Sequence, residues 1–159
     1  MTPPSSIKKL NQLIAFTLDD QRFALSISSV NRIIRVVGIA PLPKGPDIVI
    51  GIINVQGNII PVVNIRKRFC LPERDINLND QIIITHTSKR AIGIVVNSVI
   101  GLIESAEEKI VTSEAIVPGI DYVEGVVKLE DGLLIIHDIE KFLSIEEEVA
   151  IYNAVKEIN

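Results

Sequence analysis

Apolar positions along this chain come in short alternating runs, and the densest fall between Leu42 and Phe69, in LPKGPDIVIGIINVQGNIIPVVNIRKRF. Read at a period of two residues, Ile48, Ile50 and Ile52 point to one side and Val49, Ile53 and Val55 to the other. Gln56-Gly57-Asn58 interrupts the run before Ile59, Ile60, Val62 and Val63 resume it, the pattern of a β-hairpin. A strand with one face on a core and one in water alternates apolar with polar residues. Here both faces are apolar, so the outer one needs cover from the rest of the chain or from a partner. The hairpin is therefore read as part of a binding surface.

The remaining elements are read the same way. Leu13 to Leu18 and Arg22 to Ser26 are predicted strands around a polar turn, Asp19-Asp20-Gln21. Ser28 to Asn31 fits one helical turn capped by Ser28 or Ser29, and Ile33 to Ile39 is a strand ended by Pro41 and Pro43. Asn64 is placed to cap a short helix, Ile65 to Cys70, with Arg66, Lys67 and Arg68 towards water and Pro72 as its stop. Residues 71–80 form a polar connector and the predicted boundary between two lobes.

Strands follow at Gln81 to Thr85, Ala91 to Val96 and Val99 to Ile103, then an acidic turn or short helix at Ser105 to Glu108. Ile120 to Leu129 and Leu133 to His137 make a second hairpin through Glu130-Asp131-Gly132, and Ile139 to Asn159 is a predicted helix capped by Asp138. About ten short strands with no long crossover helices disfavour a parallel α/β sheet and predict a mostly-β, barrel-like fold.

Composition narrows the function. A chain of 159 residues, 47% apolar and 23% charged, fits one domain or two small packed lobes. The net charge of −4, with four Phe, two Tyr and no Trp, lacks the basic, aromatic-studded face of a nucleic-acid binder. Cys70 is the sole cysteine, which excludes an internal disulfide and a cysteine-built zinc site; beside Phe69 and Leu71 it is predicted to be a buried thiol. Residues 1–9, rich in Pro and Ser, read as a loose arm without the apolar core of a signal peptide. No apolar run is long enough to cross a bilayer, so the prediction is a cytoplasmic protein with no membrane insertion.

Catalytic chemistry finds no motif. His86 and His137 are the only imidazoles; His86 reads as an exposed strand-end residue and His137, before Asp138, as a local structural contact. Gly45, Gly51 and Gly57 sit among strands and Pro46, as turn and packing glycines, not a phosphate cradle. The paired carboxylates Asp19/Asp20, Glu107/Glu108 and Glu146/Glu147 lie in polar turns or on a helix face, where solvation keeps them ordinary. No enzyme activity, cofactor or metal is predicted.

The central stretch resembles the signature of the CheW-like chemotaxis coupling proteins: a Leu-Pro, a further Pro, a Gly-x-x-Asn-x-x-Gly hairpin, then Pro-Val-x-Asp-Leu-Arg. FALSISSVNRIIR, AIGIVVNSVIGLIE and LLIIHDIEKFL resemble further segments of that family, in the same order and spacing. The resemblance spans residues 10–144, leaving the arm at 1–9 and a helical tail at 145–159. It implies two five-stranded barrels packed side by side and a non-catalytic adaptor. The implied partners are the regulatory domain of a histidine autokinase and the cytoplasmic helical hairpin of chemoreceptors, in membrane-associated arrays. An array-type pathway other than chemotaxis, such as pilus motility, is the alternative; a small ligand- or nucleic-acid-binding barrel is the rival from another class.

By position, the resemblance places kinase contact at Gly51, Ile52, Ile53 and Gly57. It places receptor contact at Val30, Arg32, Ile33, Asn54, Gln56, Val96 and Val99, with core packing the competing role for the aliphatic ones. Two departures matter. The family usually has Glu where Arg32 stands and Arg where Gln56 stands, a pair able to bridge; both have changed here without creating a like-charge clash. Asn64 and Asn97 replace family Asp residues, and Asn caps a helix as well as Asp does.

Overall fold

The computed structural model describes residues 10–106, 110–112 and 123–158. The expected arm at 1–9, and the expected structure at 107–108 and 120–122, lie outside them. These described residues form eleven strands: β1 (Leu10–Leu18), β2 (Gln21–Ser26), β3 (Val30–Arg35), β4 (Val49–Val55), β5 (Asn58–Val63), β6 (Gln81–His86), β7 (Ala91–Val96), β8 (Ser98–Ala106), β9 (Ile110–Thr112), β10 (Val123–Leu129) and β11 (Gly132–His137). Among the described residues two helices, α1 (Ile65–Arg68) and α2 (Ile145–Ile158), join them.

The strands build two sheets, ordered β8-β1-β2-β11-β10-β9 and β3-β6-β7-β5-β4. The mostly-β, two-lobed expectation holds, with one adjustment: the first sheet has six strands, because β8 extends the edge beside β1. Among the described residues neither ladder closes on itself. The second sheet comes nearest, where Ala40 and Ile52 exchange backbone hydrogen bonds of 2.9 and 2.7 Å and seal the outer edge of β4.

Three apolar clusters hold this arrangement. Leu13, Ala15, Ala24, Val127, Leu134 and Ile136 pack within the first lobe, and Ile53, Ile60, Val62, Ile82 and Ile84 within the second. The opposite faces of the same strands meet between the lobes, where Phe16, Phe23 and Leu25 pack with Val63, Ile83, Ile94 and Phe142. Strands apolar on both faces therefore follow from sheets that bury one face inside a lobe and the other at the junction.

Several local expectations are revised. Arg66 and Arg68 do not face water: Arg66 is buried, and Arg68 holds Glu147 of α2. Helix α1 is a single turn packed into the lobe junction, so two of its three cations point back at the protein. Cys70 is exposed, not buried, because it takes φ +58 and turns outward while Phe69 and Leu71 pack on the junction core. The turn near Ser28 covers Ile27–Ser29, with Ser26 at its N-cap and no side-chain cap.

The predicted helix 139–159 is broken. Asp138 caps a short turn at Ile139–Lys141. A new start is then set by Ser144, whose Oγ accepts from Glu147 N at 3.1 Å while Glu147 accepts from Ser144 N at 2.8 Å. Asn64 caps α1 as expected, accepting from Lys67 N at 3.1 Å.

Candidate protein-docking site

The β4–β5 hairpin carries the predicted kinase-facing residues. Its pleat is shifted by an irregularity between Val49 and Gly51. This separates residues that strict alternation puts together: Ile48 is buried in the junction core while Ile50 is 39% exposed. Gly51 is required sterically, since an added Cβ would lie 2.3 Å from the Ala40 carbonyl oxygen. Ile52 is half-buried beneath the Ala40 bridge, and Ile53 is interior at 2% exposure. The tip is a two-residue turn with Gln56 at φ +52 and Gly57 at φ +87, both exposed. Asn54 Oδ1 accepts the Gly57 N–H at 2.8 Å and fixes the turn from within.

Arg32, on β3, reaches this tip and donates Nη2 to Gln56 Oε1 at 3.4 Å. The structure therefore brings Arg32, Asn54, Gln56 and Gly57 into one exposed cluster. The other predicted receptor-facing residues line the junction. Val30 and Val99 are partly buried against its core, Ile33 is 37% exposed, and Val96 is sealed inside at 1%. Gln81 Oε1 accepts the Val99 N–H at 2.8 Å, tying the start of β8 to the second sheet. Ile53 and Val96 thus present no side-chain surface to a partner; they pack beneath residues that do.

A polar bridge across the lobes was not anticipated. Arg66 donates to both Asp19 oxygens at 3.0 and 2.8 Å, to Asn97 Oδ1 at 3.0 Å and to the Pro72 carbonyl at 3.0 Å. Asn97 Oδ1 also accepts the Asp19 N–H at 2.7 Å. The hydrogen bond from Arg66 holds the Asp19 carboxyl below its ordinary value. These groups wall a cleft of ≈470 Å³ that Leu18, Ile50, Glu73, Arg74 and Ile76 also line. Its arginines are both committed, Arg66 to Asp19 and Arg74 to Asp80 at 2.8 Å. The available signal was the departure at Asn97, which kept an acceptor where the family has a carboxylate.

The second concavity contains both histidines. His86 is exposed, as expected, and His137 is buried with its ring stacked 4.0 Å from that of Phe69. Glu124 lies beside it, its carboxyl raised by burial and then by nearby Asp138. Among the described residues no group of three His, Cys, Asp or Glu is placed to hold a metal ion. No described helix is long and apolar enough to cross a membrane.

Residues 12–147 match the model of the CheW-like domain. The chain belongs to the CheW-like family. It is 30% identical over 142 residues to the chemotaxis protein CheW of Treponema pallidum, covering 86% of this chain and 84% of that one. It is 28% identical over 147 residues to the chemotaxis protein CheW of Klebsiella aerogenes, covering 91% and 89%. In three dimensions it resembles the scaffolding protein CheW of Thermoanaerobacter tengcongensis, with a TM-score of 0.79 at 27% identity over 87% of this chain and 96% of that one. CheW-like membership makes the chain a non-catalytic adaptor or scaffold of the chemotaxis type.

Proposed function

We propose that this adaptor couples chemoreceptors to a histidine autokinase on the cytoplasmic side of membrane-associated arrays. The kinase regulatory domain docks on the second lobe at Gly51, Ile52 and Gly57, with Ile53 supporting that edge from the core. The receptor's helical hairpin lies along the lobe junction, against Val30, Arg32, Ile33, Asn54, Gln56 and Val99, with Val96 as the floor beneath. The observation that carries this reading is the exposed hairpin tip, fixed by its own turn and by Asn54 and standing next to a junction edged with exposed aliphatic residues. A surface held rigid before binding loses little conformational freedom on docking.

Co-sedimentation with the kinase and receptors of the same genome tests it. A ternary complex that requires the adaptor is the expected result; an adaptor that stays in the supernatant in the presence of both overturns the proposal.

A further inference from the structure

The arginines of this chain are unevenly satisfied. Of the seven, five hold a carboxylate: Arg22 with Asp131 at 2.9 Å, Arg66 with Asp19 at 2.8 Å, Arg74 with Asp80 at 2.8 Å, Arg90 with Glu148 at 3.2 Å, and Arg68 with Glu147. The two without one, among the described residues, are Arg32 and Arg35, and both lie on β3. Arg32 has the neutral Gln56 amide.

Arg35 is exposed on a strand with a single neighbour, β6. The acid closest to it in the ladder is Asp80, whose carbonyl accepts the Val36 N–H at 3.2 Å. That carboxylate is buried and already taken by Arg74 Nη2 and Asn77 N, at 2.8 Å each. From position 21 to position 46 the sequence has no acid, and of its four cations Arg22 holds Asp131 and Lys44 lies 3.5 Å from Glu157, which leaves Arg32 and Arg35.

Arg35 is also placed where a docking partner passes. Two residues along the strand from Ile33, it shares that residue's face. It stands opposite Gln81, the residue that anchors Val99. Val37, 44% exposed, continues beyond it. With the receptor's hairpin lying along the lobe junction as proposed above, the wall of that groove is an aliphatic line, Val30, Ile33 and Val37, with an unneutralised guanidinium set into it.

We infer that this groove selects a helix bearing carboxylates beside its apolar stripe, and that Arg35 is the residue that reads them. A guanidinium pairs with a carboxylate in fork geometry, and the same charge repels a helix carrying Lys or Arg at that position. The inference rests on the assignment of the groove to receptors; it adds the partner's charge.

The test is calorimetric titration of the adaptor with the cytoplasmic fragment of a receptor from the same genome, at low and at high salt. Arg35→Glu is expected to weaken binding roughly tenfold at low salt and to flatten its salt dependence, since a charge near an interface acts through steering and screening. Arg35→Lys is expected to keep most of the affinity, and Lys in place of the facing acid on the receptor fragment restores binding to Arg35→Glu. Unchanged kinase binding by Arg35→Glu controls for folding. Wild-type affinity and salt dependence in Arg35→Glu would overturn the charge preference alone. A wild-type adaptor that fails to bind the fragment overturns the groove assignment and this inference together.

Discussion

The two hairpins of this molecule are built to one plan and finished differently. β4–β5 and β10–β11 each run seven residues, turn through two, and return over six. Each has a register shift before a glycine, at Val49/Gly51 and Val123/Gly125. Each second strand then pairs parallel with a distant strand, β5 with β7 and β11 with β2, and ends in an Asn or Asp cap. The tips differ. At the second, Arg22 of β2 binds the Asp131 carboxylate at 2.9 Å and its carbonyl at 3.1 Å. At the first, Asn54 closes the turn internally and Arg32 makes one long contact. One tip is fastened to its own lobe, and the other is stiff but leaves its outer surface uncovered. The same scaffold thus supplies a structural closure in one lobe and, in the other, an uncovered tip, the surface proposed above for docking.

The sharpest way to break the comparison is at the glycine under the exposed hairpin. Gly51→Val forces a side chain onto the Ala40 carbonyl, which has nowhere to go without opening the bridge that seals β4. The expected loss is about 3 kcal/mol of unfolding free energy in urea, typical of overpacking against backbone. Wild-type stability would mean that the 38–44 segment yields freely and that the sealed edge is not what shapes the hairpin.

A milder change transfers one tip's chemistry to the other. Gly57→Asp places at the first tip the residue that stands as Asp131 in the second. Gly57 has φ +87 and open space around it, so the cost is backbone strain of about 1 kcal/mol without a clash. Kinase affinity is expected to fall about tenfold, as a buried unpaired charge at an interface does. Unchanged affinity by calorimetry would remove Gly57 from the docking surface.

Smaller again is Asn54→Ala, which leaves the Gly57 N–H to water and loosens the turn. The expected cost is about 0.5–1 kcal/mol in stability. Faster amide exchange at Gly57, measured by NMR, is the specific readout, and unaltered exchange would show that the tip does not depend on this bond.

How much of this was legible before the structure can be judged from particular residues. The first hairpin, its turn and the Asn64 cap follow from local rules that the chain obeys. The resemblance carried the two-lobed plan, and the Arg32–Gln56 proximity with it. Two misreadings have local causes, the positive φ that turns Cys70 outward and the Ser144 cap that breaks the last helix; others involved contacts distant in sequence. Arg66-Lys67-Arg68 looks like a solvated face because its acids, Asp19 and Glu147, lie 47 and 79 positions away. Ile53 and Val96 were placed among the contacts by the resemblance, and a match of position does not distinguish a side chain turned into a lobe from one turned outward. Both hairpins are legible in the sequence, and their kinship is written there too, as Val-x-Gly and a turn recurring 74 positions apart (123 minus 49).

The smallest expected effect probes the fastened tip. Hydrogen bonding from Arg22 lowers the Asp131 carboxyl below its ordinary 3.8. A carboxyl lowered in the folded state contributes stability above its unfolded value, and that contribution disappears as pH falls through the folded one. Asp131→Asn should therefore match the wild type at strongly acidic pH and fall slightly below it from about pH 4 upward. Because the carboxylate is exposed, solvent screens the pair and the difference near neutrality should be close to the limit of detection. Urea midpoints of the two proteins across the acid range would show it. A large destabilisation at neutral pH would mean that this pair organises the second hairpin instead of only tethering a tip that Gly132 and the β-ladder already set.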